Sequence, residues 1–391
     1  MTMTMRLSLF TGMLGIAFLL FPAATLANCD QQTSLRVTRI LHQLQPVLEA
    51  GHDQQALTLL EEFARAYPQE RHYLLDYYRG NLYVAMKRHE EALAAYEAAL
   101  SLCSDMAALW QNHGAVAWDL KRYDDAAASL LRAYALEPNE ELFFNAAVAL
   151  LYGGRIKEAA DRFEQLIERG REQTPDQWLE TYSGLCLSHD LVSRSLEKLD
   201  AWKPFFSEHP IYWRLLAMTY LQRRDYTKAA AGLKVYASFV PLETADKRLL
   251  ADLLLQIQLP LEAAPLYEDL IQEQPQDMML HQQLIASYRL GLRPETALQA
   301  IDRALAVQQT QQLLRDKAEV SFELGHYQEA FETFAELLKL NPDNGTAYLY
   351  QGYSALRMGR EDLARSALTK AARFPDSKAQ ATRMLAALGA R

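Results

Sequence analysis

Asn81, Asn112 and Asn145 stand 31 and 33 residues apart. A carboxamide both donates and accepts hydrogen bonds, which suits it to the amides and carbonyls of an extended peptide. Tyr77, Trp118 and Tyr152 accompany them, and aromatic rings beside amides make a plausible peptide-binding surface. The alternative is that the asparagines bond neighbouring helices to one another. Arg214, Arg248 and Arg315 form a second series, with Gln282 in the place between the last two. Such a ladder of guanidiniums would receive an acidic partner segment. Its alternative is local pairing with Asp252, Asp316 and Glu319, which would add little stability at a surface.

The chemistry of catalysis is missing. The nine histidines are scattered, with no HExxH pair and no Cys/His cluster of metal-ligand spacing. There is no GxSxG elbow, no GxxxxGK[ST] loop and no GxGxxG after a strand. The carboxylate pairs Glu90-Glu91 and Asp124-Asp125 are placed to complement the positive ends of helix dipoles. No enzyme activity, cofactor or metal is therefore expected. The net charge of −9 is spread out and no Lys/Arg block occurs, which argues against a nucleic-acid groove.

The elements that must position these residues follow from a repeat. Gly80 is followed by Tyr83, Ala92, Tyr96 and Ala99; 34 residues on, Gly114 is followed by Ala126, Leu130 and Ala133. A period near 34 is the signature of a helical-hairpin solenoid. Half the residues are hydrophobic and Gly plus Pro number only 30 of 391, as in an ordered, helix-rich chain. Small residues recur at Ala56, Ala92, Ala126, Ala159, Ser195, Ala229, Ala263, Ala297, Ala330 and Ala364. Each would let two antiparallel helices cross closely. Tyr96, Phe163, Tyr267 and Phe334 would fill the gap four residues on, and Pro68, Pro138, Pro241, Pro275 and Pro342 would end the second helices.

This pattern resembles the tetratricopeptide repeat family. The resemblance implies an all-α solenoid of about ten hairpins, closed by a capping helix in which Ala381, Met384, Leu385 and Leu388 face the last hairpin. The expected divisions are a signal peptide at 1–27, a linker at 28–36, an N-terminal arm at 37–175, a divergent repeat at 176–209, a C-terminal arm at 210–378 and the cap at 379–391. In the family's register Asn81 falls at position 9 of its repeat, Asn112 and Asn145 at position 6 of theirs, and the three arginines at position 5, all on the ligand-facing first helices. The family's basic carboxylate clamp is absent: Tyr77, Glu141 and Asn145 occupy its places. Tyr96 and Ala92 are expected to pack, and Asn81 to be free to bind.

The N-terminus carries one basic residue, Arg6, then an apolar run from Leu7 to Phe21 and small residues up to Ala27. That is the pattern of a secretory signal cleaved after Ala27, or of a retained anchor. Leu26-Ala27-Asn28-Cys29 also resembles a bacterial lipoprotein box, which implies lipidation of Cys29 and attachment to the inner membrane. Cys103 and Cys186 lie too many hairpins apart to bridge. They are expected to be buried apolar residues, with no redox pair.

Segments such as Phe144-Asn145-Ala146-Ala147-Val148-Ala149 and Tyr212-Trp213-Arg214-Leu215-Leu216-Ala217 resemble bacterial tetratricopeptide proteins described as putative components of a TonB energy-transduction system. The likeness spans roughly residues 70–275. It implies an exported, periplasmic scaffold acting with TonB, ExbB and ExbD; the rival is an assembly factor for pili, exopolysaccharide or outer-membrane proteins. Membrane contact is expected only through a lipidated Cys29 or a retained N-terminal segment.

Overall fold

The turn that closes each hairpin explains the period. Each of the ten hairpin turns holds one residue with left-handed backbone: Gly51, Lys87, Lys121, Gly154, Asp190, Arg224, Gln258, Leu292, Gly325 and Gly359. After each, the next amide reaches back past the helix end, as in Arg88 N–H to the Tyr83 carbonyl at 2.8 Å and Arg293 N–H to the Tyr288 carbonyl at 2.9 Å. This 6→1 bond satisfies a carbonyl that the ending helix leaves orphaned.

The computed structural model describes Cys29 and residues 33–389. The proposed signal peptide lies outside these described residues. All the regular structure described is helical, and the contacts divide it into two compact units, 1–208 and 209–391. The first holds α1 (Leu35–Glu49), α2 (Asp53–Ala66), α3 (Tyr73–Ala85), α4 (His89–Leu102), α5 (Ala107–Asp119), α6 (Tyr123–Leu136), α7 (Glu140–Tyr152), α8 (Ile156–Gly170), α9 (Asp176–Ser188) and α10 (Val192–Phe206). The second holds α11 (Pro210–Gln222), α12 (Tyr226–Phe239), α13 (Thr244–Gln256), α14 (Pro260–Glu273), α15 (Met278–Leu290), α16 (Pro294–Val307), α17 (Gln311–Glu323), α18 (Tyr327–Leu340), α19 (Gly345–Arg357), α20 (Glu361–Ala371) and α21 (Pro375–Gly389). Ten hairpins and a terminal helix make the tetratricopeptide-type solenoid expected.

All ten small residues of the repeat register are 0% exposed, including Ser195. Pro68, Pro138, Pro241, Pro275 and Pro342 each follow a second helix by two residues, where a missing N–H costs nothing. Ala381 and Leu388 are buried in the last core cluster, with Met384 and Leu385 packed against it. The capping helix starts at Pro375, four residues earlier than the register suggests, and α1 starts at Leu35, inside the expected linker.

The close crossing is tightest at Gly80. A Cβ there would lie 2.6 Å from Cδ1 of Tyr96, a ring that is 1% exposed and hydrogen-bonded at its far end. Gly80→Ala is expected to destabilise the first unit by about 2 kcal/mol, because overpacking outweighs alanine's helix propensity. Urea unfolding followed by circular dichroism measures it; an unchanged midpoint would show that the ring can move aside.

The cysteines differ from expectation. Cys29 and Cys103, 74 residues apart in sequence, form a disulfide with Cα atoms 5.4 Å apart. Cys103 is therefore half of a pair and not a free apolar residue. The Cys29 sulfur that a lipid would need is already bonded. The pairing follows from the path of the N-terminal segment, which the repeat register does not specify. Ser34 donates to Glu70 at 2.6 Å, and Thr33 meets His72 at 3.2 Å, so the segment lies against the α2–α3 junction. Cys186 stays a free, buried thiol whose pKa burial pushes up to about 11.

Candidate functional site: the first-helix faces

Side-chain contacts show that first helices of successive hairpins neighbour one another. In the first unit Asn112 on α5 reaches Asn81 on α3, Trp118 on α5 meets Tyr152 on α7, and Phe144 on α7 stacks on Trp178 of α9. Second helices are linked by exposed ion pairs one repeat apart, such as Lys198 with Glu168 at 2.8 Å.

The three asparagines do not behave alike. The Asn81 side-chain oxygen accepts from Tyr96 Oη at 2.7 Å and from Asn112 Nδ2 at 3.0 Å. Asn112 Nδ2 also lies 3.5 Å from Tyr77 Oη. Burial raises the Tyr96 and Tyr77 phenol pKa values, so both hydroxyls stay protonated. Asn81 is thus held by its own core and is not the free amide expected of it. Tyr77 is 3% exposed and supports this network from below. Asn145, half-buried on α7, makes no side-chain hydrogen bond among the described residues.

The exposed part of this face is aromatic. Trp118, Tyr123 and Tyr152 contact one another at ring-centroid distances of 5.1 Å, 5.1 Å and 5.6 Å, and Tyr152 is 47% exposed. Tyr123, which was not among the expected ligand-facing residues, belongs to this cluster. The signal was present: it follows left-handed Lys121 by two residues, which turns α6 back toward the end of α5. Trp118 meets both tyrosines edge to face and the two tyrosines are tilted to each other, so a ligand would pack over the cluster and not inside it.

In the second unit two of the three arginines, Arg214 and Arg248, are paired locally, but with other carboxylates than expected. Arg214 Nε meets Asp246 at 2.7 Å and Arg248 meets Asp277 at 2.7 Å. Asp316 and Glu319 pair with Arg289 instead, at 2.8 Å and 3.5 Å. Asp252 accepts from Tyr267 Oη at 2.7 Å, repeating in the second unit the link that Tyr96 makes to Asn81. In both cases the buried ring four residues after the small position reaches position 9 of the first helix. Arg315 is exposed, and its charge acts on Glu319 four residues on. The ladder for an acidic ligand is therefore largely internal pairing.

A groove that sequence reasoning missed lies beside Arg248. Leu255, Met279, Gln283 and Leu290, with Asp252, line an open depression of about 390 Å³. Met279 is 61% exposed and Leu290 56%. Among the described residues no cluster of His, Cys, Asp or Glu could hold a metal ion, and no helix is long and apolar enough to cross a membrane.

One tetratricopeptide repeat family model matches residues 47–107, 77–141 and 315–379, and a second such model matches 141–169. No curated relative matches the sequence. Among solved structures, Naa15/Naa10 bound to HypK-THB is 13% identical over 90% of this chain and 60% of that one, with a TM-score of 0.48. MamA is 18% identical over 44% of this chain and 96% of that one, with a TM-score of 0.36. YrrB, described as a TPR protein with an unusual peptide-binding site, is 19% identical over 48% of this chain and 96% of that one, with a TM-score of 0.35. The chain spans less than two thirds of the first of these. Over the matched residues the repeats are of the tetratricopeptide type.

Proposed function

We propose that the protein is an exported scaffold that binds partner proteins in the bacterial envelope, using the first-helix face of its first unit. The observation that carries the binding face is the combination of the exposed Tyr152 cluster with the unpaired amide of Asn145 on the same helix. The rings supply apolar area at low entropic cost, and the amide can bond a peptide backbone. Asn81 and Asn112 act as a rigid floor beside it.

Export is supported by the signal-like N-terminus and by the Cys29–Cys103 disulfide, since such bonds persist in oxidising compartments. The disulfide argues for a periplasmic chain without a lipid on Cys29. A place beside TonB, ExbB and ExbD is the narrowest version and rests on the sequence resemblance over residues 70–275. The rival, an assembly factor for pili, polysaccharide or outer-membrane proteins, shares the same binding face.

Crosslinking intact envelopes and identifying what co-purifies tests both versions. Recovery of ExbB, ExbD or TonB is expected; recovery of pilus or polysaccharide machinery without them replaces the narrow version by its rival. Tyr152→Ala with Asn145→Ala is expected to weaken capture at least tenfold, the loss of roughly 1.4 kcal/mol or more. Asn81→Ala alone is expected to act mainly through stability, by unseating Tyr96. Equal capture by the double variant would exclude this face.

A further inference from the structure

The second unit carries an apolar edge that its own packing does not use. Four exposed leucines, Leu259, Leu261, Leu290 and Leu292, lie at the turns of the adjacent hairpins α13–α14 and α15–α16. The two turns touch: Leu261 packs over Gly291, so closely that a Cβ there would collide with it. Leu290 also lines the 390 Å³ depression, so the apolar surface runs continuously from the first-helix face onto the edge.

Leu292 is the most informative of them. It is the leucine among the ten left-handed turn residues; the others are Gly, Lys, Arg, Asp or Gln. Its φ of 54° is costly for a side chain with a Cβ, and the residue is 84% exposed. Folding therefore gains nothing from leucine here, where glycine or a polar residue serves the other hairpins.

Charge says what would cover it. Arg223 and Arg224, in the turn of α11–α12, line a second depression of about 490 Å³ together with Ile257, which adjoins the leucine edge. Arg293 follows Leu292 directly. All three guanidiniums are exposed, and none forms an ion pair or side-chain hydrogen bond among the described residues. Elsewhere in this unit, arginines such as Arg214, Arg248 and Arg289 hold carboxylates. Four leucines and three arginines are far fewer than the roughly 20–30 residues a side of a stable protein dimer interface. The patch suits a short segment better than a second copy of the chain.

We propose that the turn edge of α13–α16 binds a short partner segment whose apolar side chains are flanked by carboxylates. This rests on the scaffold reading but uses a different unit and different residues from the Tyr152 face. Leucines of the segment would cover Leu259, Leu261 and Leu292 and enter the depression at Leu290, while its acidic residues meet Arg223, Arg224 and Arg293.

Fluorescence anisotropy on the full chain tests it with three labelled probes of one length: an amphipathic leucine–glutamate peptide, its leucine–lysine counterpart and its serine–glutamate counterpart. The first is expected to bind at least tenfold more tightly than the other two. Leu290→Ser with Leu292→Ser should weaken it at least tenfold, and Arg224→Glu with Arg293→Glu should shift preference toward the lysine probe. Leu292→Gly separates binding from folding: it should raise Tm by about 2 °C through relief of the left-handed backbone, yet still weaken binding. Equal affinity for all three probes, or affinity unchanged in both double variants, overturns the proposal. If these probes fail while envelope capture still depends on Tyr152, the edge proposal falls alone. If that dependence is lost as well, the scaffold reading falls with it.

Discussion

Replacing Glu164 by Ala is expected to loosen the α9–α10 hairpin by about 3 kcal/mol, at the low end for breaking a buried ion pair. Glu164 on α8 is buried and accepts from Tyr182 Oη at 2.8 Å on α9 and from Arg194 Nε at 2.6 Å on α10. Lys198 lies 3.2 Å from its other oxygen. One carboxylate therefore joins three helices. Its removal leaves the Tyr182 hydroxyl buried without its acceptor, while Arg194 keeps Asp161 and Lys198 keeps Glu168, which limits the loss. The hairpin has little in reserve. The buried hydroxyls of Ser183 and Ser195 and the Trp202 indole N–H find no partner among the described residues.

The same network makes this hairpin acid-sensitive. Burial alone would raise the Glu164 pKa, but hydrogen bonds from Arg194 and Tyr182, with the Arg194 charge, outweigh it and leave the value lowered. A lowered folded-state pKa means the contribution is fully present above the ordinary glutamate value, about 4.5, and is lost as pH falls through the folded-state value. Hydrogen exchange over residues 176–206 should show at least tenfold faster opening in Glu164→Ala. Glu164→Gln should show a smaller loss and a flatter dependence below pH 5. Unchanged protection in both variants would mean the network contributes no net stability.

Cys103→Ser is expected to cost about 3 kcal/mol, lost chiefly from α1–α4. The bond closes a loop of 74 residues, and releasing it returns chain entropy to the unfolded state. It also frees the segment that Ser34 and Arg36 hold to Glu70. Alkylation of the unfolded, unreduced chain should label one thiol, Cys186, and reduction should expose all three. Three labelled thiols before reduction, in protein recovered from the cell envelope, would contradict the disulfide and remove a support for export.

Much of the fold was legible because it repeats. Ala92 and Tyr96 declared their packing roles through spacing alone, and the ten small positions proved fully buried. What stayed hidden depended on reach and direction. Tyr96 and Asn81 are 15 residues apart and meet only because the ring spans the hairpin, which turned an expected ligand contact into a structural one. Arg214 found Asp246 across a repeat boundary, where the register suggested carboxylates such as Asp252. Cys29 lies before the first repeat, so no period could place it. Leu292 was not singled out by the repeat pattern; its left-handed backbone and its exposure mark it only when taken together.

The central claim is that partners lie on the first-helix face of the first unit. A photoreactive phenylalanine analogue placed at Tyr152, and separately at exposed Gln165 on second helix α8, tests it most directly in intact cells. The account predicts discrete protein adducts from position 152 and none from position 165. Equal adducts from both positions, or adducts from 165 alone, would contradict it.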